Sequence, residues 1–150
     1  MLFISCEKDY LSVMQFQSLS YEDTVNRGKE FGQSLRGGEV VLLTGPLGSG
    51  KTSFAKGIAL GLGIEEMVLS PSFSIMNEYQ GGILLYHFDF YRLEDAAEME
   101  ELLQDYVYDE RAVCVIEWGE KIRELLPIYI LIQFEILPQG RIITVIRRGV

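Results

Sequence analysis

Apolar positions along this chain recur with two different periods, and the changes of period mark its elements. Ser20 is followed by Tyr21, Glu22 and Asp23, a side-chain cap with acids in the first turn, after which Val25, Gly28, Phe31, Gly32 and Leu35 return at helical spacing. Gly37 and Gly38 close that helix. The run Val40, Val41, Leu42, Leu43 is continuously apolar and bounded by glycines, which predicts a strand buried on both faces of a sheet. A Gly-rich loop follows it directly. From Lys51 onward Phe54, Ile58 and Leu62 are again spaced as in a helix, with Gly61 and Gly63 as its stop.

Residues 74–79 and 83–88 read as the two strands of a β-hairpin joined through Gln80, Gly81 and Gly82, and residues 93–103 as an acidic helix beginning after Arg92. A second continuous apolar run, residues 112–116, leads into Glu117, Trp118 and Gly119. Residues 120–126 form a short helical segment closed by Pro127, and residues 129–136 and 141–146 make a last hairpin around Pro138, Gln139 and Gly140. Strands and helices alternate in the middle of the chain, which predicts one α/β domain over residues 1–150, with a central mixed sheet, part parallel and part hairpin.

Composition narrows the function more than the fold. A net charge of -9 would on balance repel nucleic acid, whose affinity comes from Lys and Arg neutralising phosphates, so strong direct RNA or DNA binding is not expected. The one dense basic patch, Arg141 with Arg147 and Arg148, reads as a solvated chain end. Cys6 and Cys114 have no C-x-x-C or Cys/His cluster around them and read as reduced thiols. Residues 1–18 lack the basic-then-apolar plan of a signal peptide, and no run approaches the roughly 20 apolar residues of a membrane helix, so a cytoplasmic protein without a membrane partner is expected.

The chemistry sits in Gly45-Pro46-Leu47-Gly48-Ser49-Gly50-Lys51-Thr52, which fits the pattern G-x-x-x-x-G-K-[ST]. In such a loop glycines let successive backbone N–H groups turn inward around a phosphate, and the helix that follows adds its positive dipole end. Lys51 would reach the β- and γ-phosphates of ATP, Thr52 would offer its hydroxyl to Mg²⁺, and Ser53 follows in the same turn. The expected architecture is then a P-loop NTPase-like three-layer sandwich.

A metal-holding acid is expected at the end of a neighbouring buried strand, and Glu117 stands there, although a carboxylate in that place could also merely cap the strand. Trp118, the sole tryptophan, is either a stacking platform for the base or a core aromatic. Asp89, among Phe88, Phe90 and Tyr91, is either a hydrogen-bonded structural acid or a group that handles a proton or water. His87, the single histidine, reads as a structural hydrogen-bonding residue.

Taken together, the loop Gly45 to Thr52, Ser70-Pro71-Ser72-Phe73, Glu78-Tyr79, His87-Phe88-Asp89-Phe90-Tyr91-Arg92-Leu93 and Ile116-Glu117-Trp118, in that order, resemble the TsaE family over about residues 20–127. These are small bacterial ATPases required for threonylcarbamoyladenosine formation on tRNA. The resemblance implies that Lys51 and Thr52 bind phosphates and Mg²⁺, that Glu117 lies near the metal, that Trp118 lies against the adenine, and that Asp89 is catalytic. It also implies that Ser70 to Phe73 form a switch-like loop, that Thr24 lies near the nucleotide, and that the TsaD and TsaB subunits of the transferase are the partners. Pro46 stands where the family commonly has Asp, and Ser72 where it commonly has Thr.

A small-molecule P-loop kinase with Asp89 as base and a nucleotide-gated binding module with negligible turnover are the alternative readings. No N-K-x-D segment for reading guanine is present. No arginine finger is evident either: Arg92 could act in cis or pair with the acids of residues 93–101, so slow hydrolysis that a partner accelerates is expected, with the acidic segment 94–105 as a contact.

Overall fold

A computed structural model describes residues 2–4, 10–71 and 73–148, with the side chains of residues 2–4, 10, 11 and 148 left aside. Cys6 and Ser72 lie outside the described residues. The chain runs β1 (Leu2–Ile4), β2 (Tyr10–Ser18), α1 (Tyr21–Gln33), β3 (Val40–Thr44), α2 (Lys51–Gly61), β4 (Met76–Tyr79), β5 (Leu84–Asp89), α3 (Ala96–Leu103), β6 (Ala112–Glu117), β7 (Tyr129–Ile136) and β8 (Arg141–Arg148). All eight strands join one sheet in the order β1-β2-β8-β7-β3-β6-β5-β4. Its centre, β7-β3-β6-β5, is parallel, and antiparallel hairpins extend it on both sides.

The continuous apolar run of β3 is explained by burial on two faces. Val41 and Leu43 point to one side, into a core completed by Phe31 of α1 and by Phe54 and Ile58 of α2. Val40 and Leu42 point to the other, where Met99 and Leu103 of α3 meet Cys114 and Ile116 of β6. Helices thus cover both faces, and the three-layer mixed α/β architecture expected from the sequence is the observed one. Each fully buried Leu, Ile or Phe in these layers contributes about 1.5–3 kcal/mol relative to exposure.

The helices α1 and α2 cross closely because small residues face each other. A Cβ on Gly28 would strike the Phe54 carbonyl, and one on Gly57 would strike the Val25 carbonyl. Gly28 and Gly32 therefore occupy apolar-periodic positions for lack of room.

Several boundaries differ from expectation for local reasons. The helix expected over residues 93–103 starts at Ala96, since Asp95 caps it by accepting from the Ala97 N–H at 2.9 Å. Residues 120–126 form two separate 3₁₀ turns, Gly119–Lys121 and Arg123–Leu125, in place of one helical segment. The long strand β2, which the sequence reading does not assign, is held by pairing with β8 from Tyr10 to Ser18. Among the described residues no helix is long and apolar enough to cross a membrane.

Candidate functional site

At the C-terminal ends of β3, β5 and β6 a cleft of about 530 Å³ opens, a size suited to a small-molecule ligand. Its floor is the 45–50 loop. Gly45, Gly48 and Gly50 all have positive φ, at 144°, 75° and 108°, so the backbone turns in a way that side-chain-bearing residues rarely adopt. Beside Gly48 there is open space, with nothing within 4 Å of where a Cβ would sit.

The helix that follows the loop is left open at its start. In α1 the Ser20 hydroxyl accepts from the Asp23 N–H and two acids occupy the first turn; in α3 Asp95 and Glu98 serve the same ends. In α2 the cap is Gly50, without a side-chain acceptor, and the first turn holds no acid. The positive end of this helix dipole therefore faces the cleft with no cap or acid from the helix itself, which suits a phosphate. Ser49 adds a buried hydroxyl without a hydrogen-bond partner.

Lys51 is 5% exposed, and its ammonium donates to the carbonyls of Gly45 at 2.6 Å and Pro46 at 2.9 Å. It also lies 4.0 Å from the centre of the Trp118 ring, a cation–π contact. Burial pushes its pKa below the ordinary lysine value, opposed by the negative charges of Glu120, Glu117 and Asp89. The presence of proline at position 46 is harmless to this arrangement, because it is the carbonyl of Pro46 that is used, by Lys51 and by the Ser49 N–H at 3.2 Å.

Glu117 ends β6 and is 2% exposed. One carboxylate oxygen accepts from the Thr52 hydroxyl at 2.7 Å, and the other bonds the ring of His87 on β5, also at 2.7 Å. These two contacts orient the carboxylate toward the start of α2. One hydroxyl and one carboxylate suit Mg²⁺, which keeps several waters and is completed by substrate phosphates. Among the described residues no cluster of three or more His, Cys, Asp and Glu could hold a metal by itself. Lysine, threonine, glutamate and an uncapped helix start thus fit both the phosphates and the metal.

Asp89 pairs in register with Glu117 across β5 and β6 and is equally sequestered. Its oxygens accept from the Ser70 hydroxyl and from the Tyr91 N–H, each at 2.9 Å. Trp118 adopts a left-handed conformation, φ 63°, half-buried between the Lys51 ammonium and the Tyr91 ring, whose centre is 5.1 Å away. The turn carrying Tyr91 is clamped from below by Lys121, whose ammonium donates to the carbonyls of Phe90, Tyr91 and Leu93 at 2.7–3.0 Å.

The cleft therefore gathers Leu47, Gly48, Gly50, Lys51, Thr52, Ser53, Asp89, Glu117 and Trp118 from the expected set, together with Ser70. Gly45, Pro46 and Ser49, also expected, are not among its lining residues, and neither is Thr24. It is fully buried, with its hydroxyl 2.6 Å from that of Ser18 and donating to the Ser20 carbonyl at 3.1 Å, so it locks the start of α1 to the end of β2. The residue that α1 sends to the cleft is Tyr21. Two arginines also line it. Arg92 packs over the Phe73 ring at 4.4 Å, while Glu94 of the acidic segment is matched by Lys121. Arg141, which reads in the sequence as part of a solvated basic chain end, reaches the loop instead and donates to the Ser49 carbonyl at 3.1 Å. Arg92 stands inside the motif of residues 87–93, whereas Arg141 lies far in sequence from the loop it meets, which hides its place in the cleft.

The family model described as "Threonylcarbamoyl adenosine biosynthesis protein TsaE" matches residues 18–143. The chain belongs to the TsaE family. It is 44% identical over 129 residues to the tRNA threonylcarbamoyladenosine biosynthesis protein TsaE of Treponema pallidum, covering 85% of this chain and 95% of that one. The TsaE protein of Bacillus subtilis is 43% identical over 115 residues, 76% of this chain and 72% of its own. Among solved structures, the crystal structure of Bacillus subtilis YdiB superposes with a TM-score of 0.77 at 33% identity, covering 91% of this chain and 86% of that one. The TsaE match begins at the last residue of β2, so β1 and most of β2 lie outside it, while every cleft residue described above lies inside.

Proposed function

We propose that this chain binds ATP with Mg²⁺ in the cleft and hydrolyses it in the formation of threonylcarbamoyladenosine on tRNA, acting with the TsaD and TsaB subunits of the transferase. The observation that carries the reading is the chain of contacts Thr52, Glu117, His87 beside an uncapped helix start and a buried lysine. Each of these groups is costly or idle in a merely structural role. Together they are what a nucleotide triphosphate needs.

In this reading the loop amides and the start of α2 bind the phosphates, and Lys51 exchanges its two carbonyl partners for phosphate oxygens. Thr52 and Glu117 hold the metal, which when bound neutralises charge building on the phosphate oxygens. His87 fixes the orientation of Glu117 from inside the sheet. Trp118 offers its face to the base. Asp89 orients the attacking water and accepts its proton at a carboxylate oxygen, itself held in place by Ser70 and the Tyr91 N–H.

The family relationship supports the tRNA-modification role, and the net charge of -9 suits a subunit that docks on protein more than on tRNA. Two measurements test the proposal. Saturating MgATP should change the fluorescence of Trp118, the only tryptophan; an unchanged spectrum together with no heat of binding would end it. Phosphate release should be slow for the chain alone and rise on adding TsaD and TsaB. Turnover that is fast alone and indifferent to those subunits would point to a free-standing ATPase.

A further inference from the structure

Lys121 does not line the cleft, yet its ammonium sits against the turn that leads out of β5. Nζ donates to the carbonyls of Phe90 at 2.9 Å, Tyr91 at 3.0 Å and Leu93 at 2.7 Å. An ammonium has three N–H donors, so all of them are spent on this one turn. Glu94 stands 3.7 Å away, but its side chain is 89% exposed, and an ion pair so open to water contributes little. The carbonyls are therefore what Lys121 serves.

The lysine belongs to the turn that starts at Trp118. Its own N–H donates to the Trp118 carbonyl at 3.2 Å, and the turn lies tightly on β3, since a Cβ on Gly119 would strike Leu42. The support is thus stiff. Two contacts run parallel to the ammonium: the Phe90 N–H donates to the Glu117 carbonyl at 3.2 Å, and the Tyr91 ring packs on Trp118. The Tyr91 N–H in turn donates to Asp89 at 2.9 Å. Three carbonyl dipoles aimed at one point repel one another unless a cation stands between them, so the shape of the 90–93 turn depends on the ammonium. The Lys121 side chain is 22% exposed, and water admitted in its place would satisfy the carbonyls without fixing them.

We infer that Lys121 is a positioning residue for Asp89: its ammonium fixes the 90–93 turn against the turn of Trp118, and so holds the Tyr91 N–H on the carboxylate and the carboxylate in its working orientation. The inference rests on the ATP-hydrolysing role proposed above and adds a residue that touches neither the cleft nor the nucleotide. It acts on an acid assigned there to water and proton handling, where a displacement of about 1 Å costs on the order of a hundredfold in rate.

The test compares the full chain with its Lys121→Met and Lys121→Arg variants. Methionine keeps the apolar stem and removes the charge, whereas arginine keeps the charge but presents a planar fork to carbonyls that converge on a point. In nucleotide-free protein, amide exchange at Tyr91 should quicken roughly tenfold in Lys121→Met as the turn opens more often, while the amides of β3 and β6 exchange as in wild type. With MgATP, single-turnover hydrolysis should fall roughly ten- to hundredfold, affinity should stay within about threefold, and Lys121→Arg should recover part of the rate. Wild-type turnover in Lys121→Met would overturn the inference. So would a Tyr91 amide that exchanges at the wild-type rate. Turnover and affinity lost in equal proportion, with faster exchange across β3 and β6, would overturn it too, since that marks a support of the fold at large. A wild-type chain that neither binds nor hydrolyses MgATP would remove the ATP role itself, whereas the Tyr91 amide of nucleotide-free protein still reports whether Lys121 holds the turn.

Discussion

Glu117 and Asp89 end adjacent parallel strands side by side, yet the two carboxylates are held by different means. Both oxygens of Glu117 are taken by side chains on regular structure, Thr52 in the first turn of α2 and His87 within β5. Asp89 depends on connections: the Ser70 hydroxyl comes from the segment between α2 and β4, and the Tyr91 N–H from the turn after β5. That segment is anchored by the buried Ile64 and Val68 but carries Met67, Leu69 and Phe73 at 79%, 57% and 85% exposure, so apolar burial holds it at a few points only. The wall that would hold the metal is thus built in advance. The wall that would handle water can be adjusted by moving a loop, which is where a partner could act on turnover without disturbing nucleotide binding.

The largest effect expected from this contrast is on chemistry. Asp89→Asn keeps the shape but removes a proton acceptor, so hydrolysis should fall by roughly 10² to 10⁴ while ATP affinity stays near wild type. Full turnover in single-cycle phosphate release would return Asp89 to a structural role. Lys51→Ala should instead weaken ATP by about a hundredfold, through loss of the buried ammonium that in the proposed function binds the phosphates. Calorimetry that found equal affinity would remove the phosphate assignment of the loop.

A smaller, more selective change is expected for Glu117→Ala. The Mg²⁺ concentration needed for half-maximal hydrolysis should rise by about ten- to hundredfold, with nucleotide affinity measured in chelator little altered. A normal Mg²⁺ titration would show that the carboxylate only caps its strand. The mildest variant is Ser70→Ala, which deletes one hydrogen bond to Asp89 and should lower turnover by less than about tenfold. If Ser70→Ala altered Mg²⁺ dependence as strongly as Glu117→Ala, the two walls would not be separable.

Much of the site was legible because its parts are close in sequence. Strand, loop and helix around residues 40–61 are set by apolar spacing and glycines within two dozen residues, and the fold places them as expected. The two hairpins and the buried strand ending in Glu117 were equally readable from period and turn residues. The start of α3 differs from the expected one because Asp95, a cap by side-chain chemistry, lies inside an acidic run that looks helical throughout. In β2 the short-range pattern is weak, since Met14 and Phe16 pack on the core while Ser18 is buried by its bond to Thr24. Thr24, which only the resemblance sets near the nucleotide, packs at the β2–α1 junction against Ser18 and Ser20, a contact that no local pattern announces.

The sequence by itself determined the Gly-rich loop between β3 and α2, the layered α/β class and the acids at two strand ends, because each follows from residues a few positions apart whose backbone preferences and periodicity act locally. Only the tertiary structure decided which side chains meet. His87 finds Glu117 across 30 residues, Ser70 finds Asp89 across 19, and Arg141 finds Ser49 across 92. Such contacts depend on strand order and register, which bring the ends of β3, β5, β6 and the start of β8 to one edge of the sheet. A lone histidine and a basic chain end carry no local signal of that meeting, since the sheet's cooperative pairing creates the proximity and the sequence spacing does not.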